Sequence, residues 1–354
     1  VFIWSFTELG TPLMFNYGRC TAVQIFSGIN EVGYNPMPYA LVAVMMTFSV
    51  AMYAGAKFFF GRQSYAMITK AGRAAGQTHL RGIREVLVIG VFAGLGLFSV
   101  LPHLGVMGLA FGKSWYHSLG PLQLSLEHFE AALGHGLTVP SIINSMRYAL
   151  MAVTAAMIIG VFAAVCIVRG KGRIGWLLDS LVMLPLAVPG LVLAFGYLAM
   201  SQKGRLFHCF DPVENPTVLL VIAYAVRRLP YVVRAAVAGL QQTSVSYEEA
   251  AASLGAAPVT AFRRITMPLI AANLIAGGIL AFSFSMLEVS DSLILAQKAA
   301  YFPITKAIFE LSNLLGQGQA LASALGLWTM VFLGASLLTA SCIFGKKLGA
   351  LFRV

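Results

Sequence analysis

Charge is what this chain has least of. Only 10% of its 354 residues are Asp, Glu, Lys or Arg, where an ordinary soluble domain carries about 25%. A surface that poor in charge excludes a freely soluble globular protein. Cysteine is sparse too. The four present (Cys20, Cys166, Cys209, Cys342) form no CxxC pair, which excludes a disulfide framework and a thiolate zinc site. The six histidines are scattered, and only His128 and His135 would share a face, if 124–136 is helical; a metal site is not expected. A phosphate-binding loop is missing. Gly112-Lys113-Ser114 has the right ending, but Met107 stands where the earlier glycine is required. No cluster of catalytic groups at one depth is visible, so no bond chemistry is expected of this chain.

Apolar sequence is there in abundance. Hydrophobic residues make up 58% of the chain, and several runs approach the roughly 20 residues that cross a bilayer as a helix. The expected spans are about 38–60, 86–110, 146–168, 176–200, 216–236, 268–288 and 320–344. The runs are continuous, rich in Leu, Ala, Val and Gly, and do not alternate. Helices therefore win over the closed barrel, the other structure that can span a membrane. The fold class is an all-α integral membrane protein.

A net charge of +11 could suggest nucleic acid, but its distribution points elsewhere. With residues 61–85 placed inside the cell, the inner loops hold fourteen Lys and Arg and the outer loops six. That is the positive-inside asymmetry, and it places the 237–267 loop in the cytoplasm. Cys20 and Cys209 fall outside, and the sequence leaves open whether they pair. No nucleic-acid partner is expected; the lipid bilayer is.

The 237–267 loop contains SYEEAAASLGAAPVTAFRRITMPLI. Ser246 and Glu249 have the spacing of a capping box, and Glu248 and Glu249 suit the positive end of a helix dipole. Ala250 and Ala251 give a bare helix surface, Gly255 a left-handed stop, and Pro258 a second helix start. Val259 and Phe262 are expected to be exposed, and Pro268 to mark entry into the next span. The order Glu249-Ala250-Ala251, Gly255, Ile265, Pro268 resembles the EAA loop of permeases in binding-protein-dependent ABC importers, departing at Met267 where that family usually has Leu. The resemblance covers about 140–345 well and 1–60 by repeat. It implies the type I importer permease fold and an inner-membrane location. Glu248, Glu249, Ala250, Ala251, Gly255, Val259, Phe262, Ile265 and Pro268 would then be the grip of a separate cytoplasmic ATPase, in two copies, which carries the ATP and magnesium. No cofactor is expected on this chain. A periplasmic binding protein would deliver substrate.

An internal repeat adds organisation. FIWSFTELGTPL from Phe2 aligns with FSFSMLEVSDSL from Phe282, placing Glu8 on Glu288 and Leu13 on Leu293; after a three-residue shift Phe26 falls on Phe309 and Gly33 on Gly316. The chain opens at Val1 inside an apolar segment. The simplest account is 1–60 as the last two spans of a first half, 61–85 as a basic cytoplasmic linker, and 86–354 as a complete second half of six spans. Fused two-half permeases of this kind are typical of ferric-iron and thiamine importers. Ferric iron is the first substrate expectation, with thiamine, aminoethylphosphonate and polyamines as others.

Six residues are candidates for the translocation path. Pro185 and Pro189 interrupt one span, and proline breaks a helix bond and kinks it; a path-lining role and plain packing are equally open. Arg227 and Arg228 lie within another span, where charge is costly unless it faces protein, water or headgroups. Snorkelling to the cytoplasmic surface is the simpler expectation, attraction of an anionic or chelated substrate the alternative. Glu288 and Asp291 are expected at the outer end of a span, as a gate, a cation contact, a helix terminator or a docking point. Asn144-Ser145 resembles the start of the family's core, and Gly277-Gly278 suggests close helix packing. The rival reading of the whole chain is a secondary transporter driven by an ion gradient. It leaves the EAA loop without a purpose and finds few buried acids for coupling.

Overall fold

The computed structural model describes residues 5–31, 35–60, 81–113, 123–170, 173–205 and 207–351. Most of the linker expected at 61–85, and Phe2 and Gly33 of the repeat, lie outside them. Among the described residues every regular element is a helix. In hydrocarbon each peptide group must find its partner within its own segment, so apolar runs become helices.

The order is α1 (Gly10–Met14), α2 (Thr21–Ser27), α3 (Met37–Phe60), α4 (Ile83–Phe111), α5 (Glu127–Gly134) and α6 (Thr138–Arg169). Then come α7 (Arg173–Ala187), α8 (Gly190–Ser201), α9 (Thr217–Gln242), α10 (Ser246–Ser253), α11 (Pro258–Ala261), a π turn (Phe262–Thr266) and α12 (Met267–Met286). The chain closes with α13 (Ser290–Leu295), α14 (Ile304–Ser312) and α15 (Gly318–Leu351). Single helices long and apolar enough to cross a membrane are Met37–Gly55, Ile83–Phe111, Thr138–Arg169, Pro258–Met286 and Gly318–Thr339.

Three expected spans need correction. The run at 176–200 is not one helix: Ile174–Ala187 and Gly190–Ser201 meet at 97°. Pro189 has no N–H to continue the ladder of α7, and the chain turns there. The run at 216–236 is the helix α9, but Arg227, Arg228 and Arg234 keep it out of the apolar set. The run expected at 268–288 begins ten residues sooner, at Pro258. Pro268 is the second residue of α12, in its first turn, as expected of an entry into the span. The π turn just before it carries the bond from Met267 N–H to the Phe262 carbonyl, one residue wider than an α-turn. It takes up the mismatch a proline makes with the turn below it.

α9 is the centre of the bundle, packed between α6 and α12. Its inward stripe, Leu220, Ala223, Tyr224, Val232, Val233, Ala236 and Leu240, is buried. Glycine allows the close approach: a Cβ on Gly277 of α12 would lie 2.6 Å from the Ala235 Cβ of α9. α4 is the opposite case. Val86, Leu87, Phe92 and Phe98 are exposed, and its main neighbour is α15, as expected of a helix facing lipid.

α13, α14 and α15 follow one another as two short helices and a long one, the same order as α1, α2 and α3. Phe26 and Phe309, equivalent under the repeat, meet edge to face with ring centroids 6.2 Å apart. Leu9, Ile25 and Met45 share one apolar core with Tyr148, Leu191, Phe195, Leu220, Tyr224 and Leu293–Leu295.

Adjacent glycines make a test of this packing. Gly277→Ala places a methyl against α9 and is expected to lower stability by about 1–3 kcal/mol. Gly278→Ala, whose Cβ meets only the Met157 Sδ at 3.7 Å, is expected to be tolerated. Thermal unfolding of the two purified variants in detergent compares them.

Candidate functional site

The 243–268 loop projects from the ends of α6 and α9. α10 stops in a Schellman turn. Gly255 has φ of 83°, its N–H bonds to the Ala252 carbonyl at 2.9 Å, and the Ala256 N–H reaches back to the Ala251 carbonyl at 3.0 Å. Only glycine adopts that φ without strain. Pro258 then sits in the first turn of α11, where its missing N–H has no helical partner to lose.

The expected capping box does not form. The helix begins one residue sooner, with Val245 as N-cap and no side-chain cap. The Ser246 N–H instead donates to the Ser244 hydroxyl at 3.3 Å. The Glu249 side chain is exposed and makes no hydrogen bond or ion pair among the described residues. Glu248 turns inward: its Oε1 accepts from Arg169 Nη2 at 3.3 Å and from the Thr266 hydroxyl at 3.1 Å.

The outer face of the loop is Glu249, Ala250, Leu254 and Val259, with Leu254 90% and Val259 76% exposed. Ala251 is buried, and Phe262 and Ile265 are half-buried. Phe262 therefore departs from the expected exposure; it packs against the core cluster of Val237, Leu240 and Ile270. Leu254, the most exposed apolar side chain of the loop, was not singled out from sequence. Its place just before the helix-ending glycine is the signal that could have found it. Behind the loop a cavity of about 410 Å³ is lined by Phe162, Val165, Arg169, Glu248, Ala252 and Phe262, among others.

The second constellation is buried. Arg228, 4% exposed, donates to the Phe284 carbonyl at 2.7 Å and pairs with Glu288. Arg227 pairs with Glu288 and, at 3.3 Å, with Asp291. Both arginines lie about halfway along the 26 residues of α9. They do not snorkel to the surface, because two carboxylates meet them inside. For the same reason Glu288 and Asp291 are not at an outer end: α12 stops at Met286 beside the middle of α9. Tyr224 and Ser292 hydrogen bond at 2.6 Å, and Thr305 donates to the Glu288 carbonyl at 2.7 Å.

The cluster abuts the broken helix. A Cβ on Gly190 would lie 2.2 Å from the Arg227 guanidinium, so glycine leaves the room the charge occupies at the break. Pro189 and Gly190 are buried there, whereas Pro185 is half-buried farther back in α7. Nearby, Asn144 donates to the Ala300 and Phe302 carbonyls at 2.9 and 3.3 Å, and Ser145 accepts the Ile304 N–H at 2.7 Å. These residues fasten the segment that leads into α14.

A family model described as the binding-protein-dependent transport system inner membrane component matches residues 156–341, more than half of the chain. The chain belongs to this family of importer permeases. The putative ferric transport system permease protein FbpB 1 of Haemophilus influenzae is 27% identical over 300 residues, covering 82% of this chain and 45% of that protein. The ferric transport system permease protein FbpB of Actinobacillus pleuropneumoniae is also 27% identical, covering 82% and 42%. The chain thus spans about half the length of the curated relatives it matches. A solved bacterial ABC transporter that imports the acidic polysaccharide alginate has the same fold, with a TM-score of 0.58 at 16% identity over 74% of this chain and 96% of that chain. The permease fold read from the sequence is the one observed.

Removing one partner of the buried pair leaves an uncompensated charge inside the permease. Arg228→Met is expected to cost about 3–5 kcal/mol. The double variant Arg228→Met, Glu288→Met is expected to recover part of that loss. Denaturation midpoints of the purified variants measure both.

Proposed function

We propose that this chain is membrane-spanning machinery of an ATP-driven importer that moves substrate inward by alternating access. ATP hydrolysis belongs to a separate cytoplasmic subunit, engaged through Glu248, Glu249, Ala250, Ala251, Gly255, Val259, Phe262, Ile265 and Pro268. A periplasmic binding protein hands substrate to the outer side; the family's name carries that dependence. The single observation that carries the coupling reading is the build of the loop. A short alanine-faced helix ends in a left-handed glycine turn, with unpaired Glu249 and exposed Leu254 beside it at the basic end of the bundle. An exposed apolar residue next to a charge, on a rigid projecting element, is the chemistry of a docking surface.

Ferric iron is the substrate reading. The two relatives named for ferric transport each match 82% of this chain, against 61% for one named for 2-aminoethylphosphonate and 43% for one named for putrescine. In this reading residues 1–60 end a first half, 61–85 link it, and 86–354 form the second half; the meeting of Phe26 with Phe309 supports that arrangement. Pro185, Pro189, Arg227, Arg228, Glu288 and Asp291 border the path, the last four as an ion-paired set. A gradient-driven transporter would leave the build of the 243–268 loop without a purpose.

The test is co-purification of the full-length protein with candidate ATPase subunits, wild type against Glu249→Arg with Gly255→Asp. The aspartate must adopt a left-handed φ at roughly 1–2 kcal/mol of strain, and the arginine reverses the charge of the docking face. The wild type is expected to retain an ATPase and the double variant to lose it. Equal retention by both, or none by either, contradicts the reading.

A further inference from the structure

Arg169 is the last residue of α6 and sits where a cation suits the helix dipole. Its Nη2 donates to the Thr243 carbonyl at the end of α9, at 3.1 Å, and to Glu248 of α10, at 3.3 Å. The same Glu248 oxygen accepts from Thr266 in the π turn that opens α12. One guanidinium thus ties four elements together, with side chains only 19% and 28% exposed at the pair. A pair that sheltered is screened less by salt than a surface pair.

The rest of the geometry makes this link matter. α10 packs on α11 and on the π turn, and the cavity of about 410 Å³ separates its inner face, at Ala252, from Phe162 and Val165 of α6. Alanine side chains are too short to fill that gap. Apolar packing ties α10 to α11 and the π turn, the short link 243–245 joins it to the end of α9, and the polar bond from Glu248 to Arg169 ties it to α6.

We propose that Arg169 is a positioning residue for energy coupling. By holding Glu248 it makes a displacement of α10 pull on the end of α6, to which no short stretch of chain joins it. The proposal rests on the docking reading of the loop and adds the route by which motion leaves it.

The experiment is hydrogen exchange on the full-length complex with its ATPase, without nucleotide and with ATP plus vanadate. Wild type is compared with Arg169→Ala, Glu248→Gln and Arg169→Lys. The wild type is expected to change its exchange on nucleotide binding in α10 and at the ends of α6 (162–170) and α9 (236–243). Arg169→Ala and Glu248→Gln are expected to keep the response in α10 and α9 and lose it in α6. Arg169→Lys, which keeps the charge, is expected to restore it. A normal α6 response in Arg169→Ala overturns the proposal. So does loss of the α10 response together with the others, because the residue then merely folds the loop, and so does failure of lysine to restore. If the wild type holds no ATPase at all, the docking reading itself fails. If it holds one and only the variant pattern is wrong, the docking reading stands and Arg169 loses its role.

Discussion

Two arginines halfway along a central membrane helix dictate much of what surrounds them. Charge at that depth is tolerated only when it is met inside the protein. Glu288 and Asp291 meet it, and they can do so only because α12 ends at Met286, beside the middle of α9. Gly190 leaves room for the Arg227 guanidinium against the break between α7 and α8. Thr305 then fastens the start of α14 to the Glu288 carbonyl. The broken helix, the end of α12 and the start of α14 are all anchored at one paired set of charges. Such a set contributes little net stability compared with a well-packed apolar core, yet is costly to half-remove. That suits an element that must keep one geometry while its neighbours move.

The 243–268 loop follows a different logic. Arg169 and Glu248 bridge it to the end of α6 beside an apolar cavity, Phe262 packs into the core, and Glu249, Leu254 and Val259 stay exposed. The two constellations share α9: its middle carries the buried charges and its end accepts from Arg169. The loop and the buried charges are thus joined along one helix.

Much of this was legible in the residues. Long apolar runs announce spans because lipid leaves the backbone no other solution. Gly255 and Pro258 announced a helix–turn–helix because each has a backbone preference of its own. The pairing of Arg227 and Arg228 with Glu288 and Asp291 was not legible, since partners some sixty residues apart leave no periodic trace. Hydropathy put Glu288 at the outer end of a span because it weighs composition and is blind to where neighbouring helices end. The capping box failed for a related reason. Ser246 and Glu249 have the spacing, but Arg169, distant in sequence, claims Glu248 and the helix starts sooner. Local chemistry was readable; long-range electrostatics was not.

The central claim, that the 243–268 loop faces the cytoplasm and is covered there by an ATPase, has a direct measurement. In full-length protein with its native cysteines replaced by serine, Leu254→Cys is exposed to a membrane-impermeant maleimide in right-side-out and in inverted membrane vesicles. The account predicts labelling in inverted vesicles alone, suppressed when the purified ATPase is added. Labelling from the outer side, or labelling from the inner side that the ATPase leaves unchanged, would contradict it.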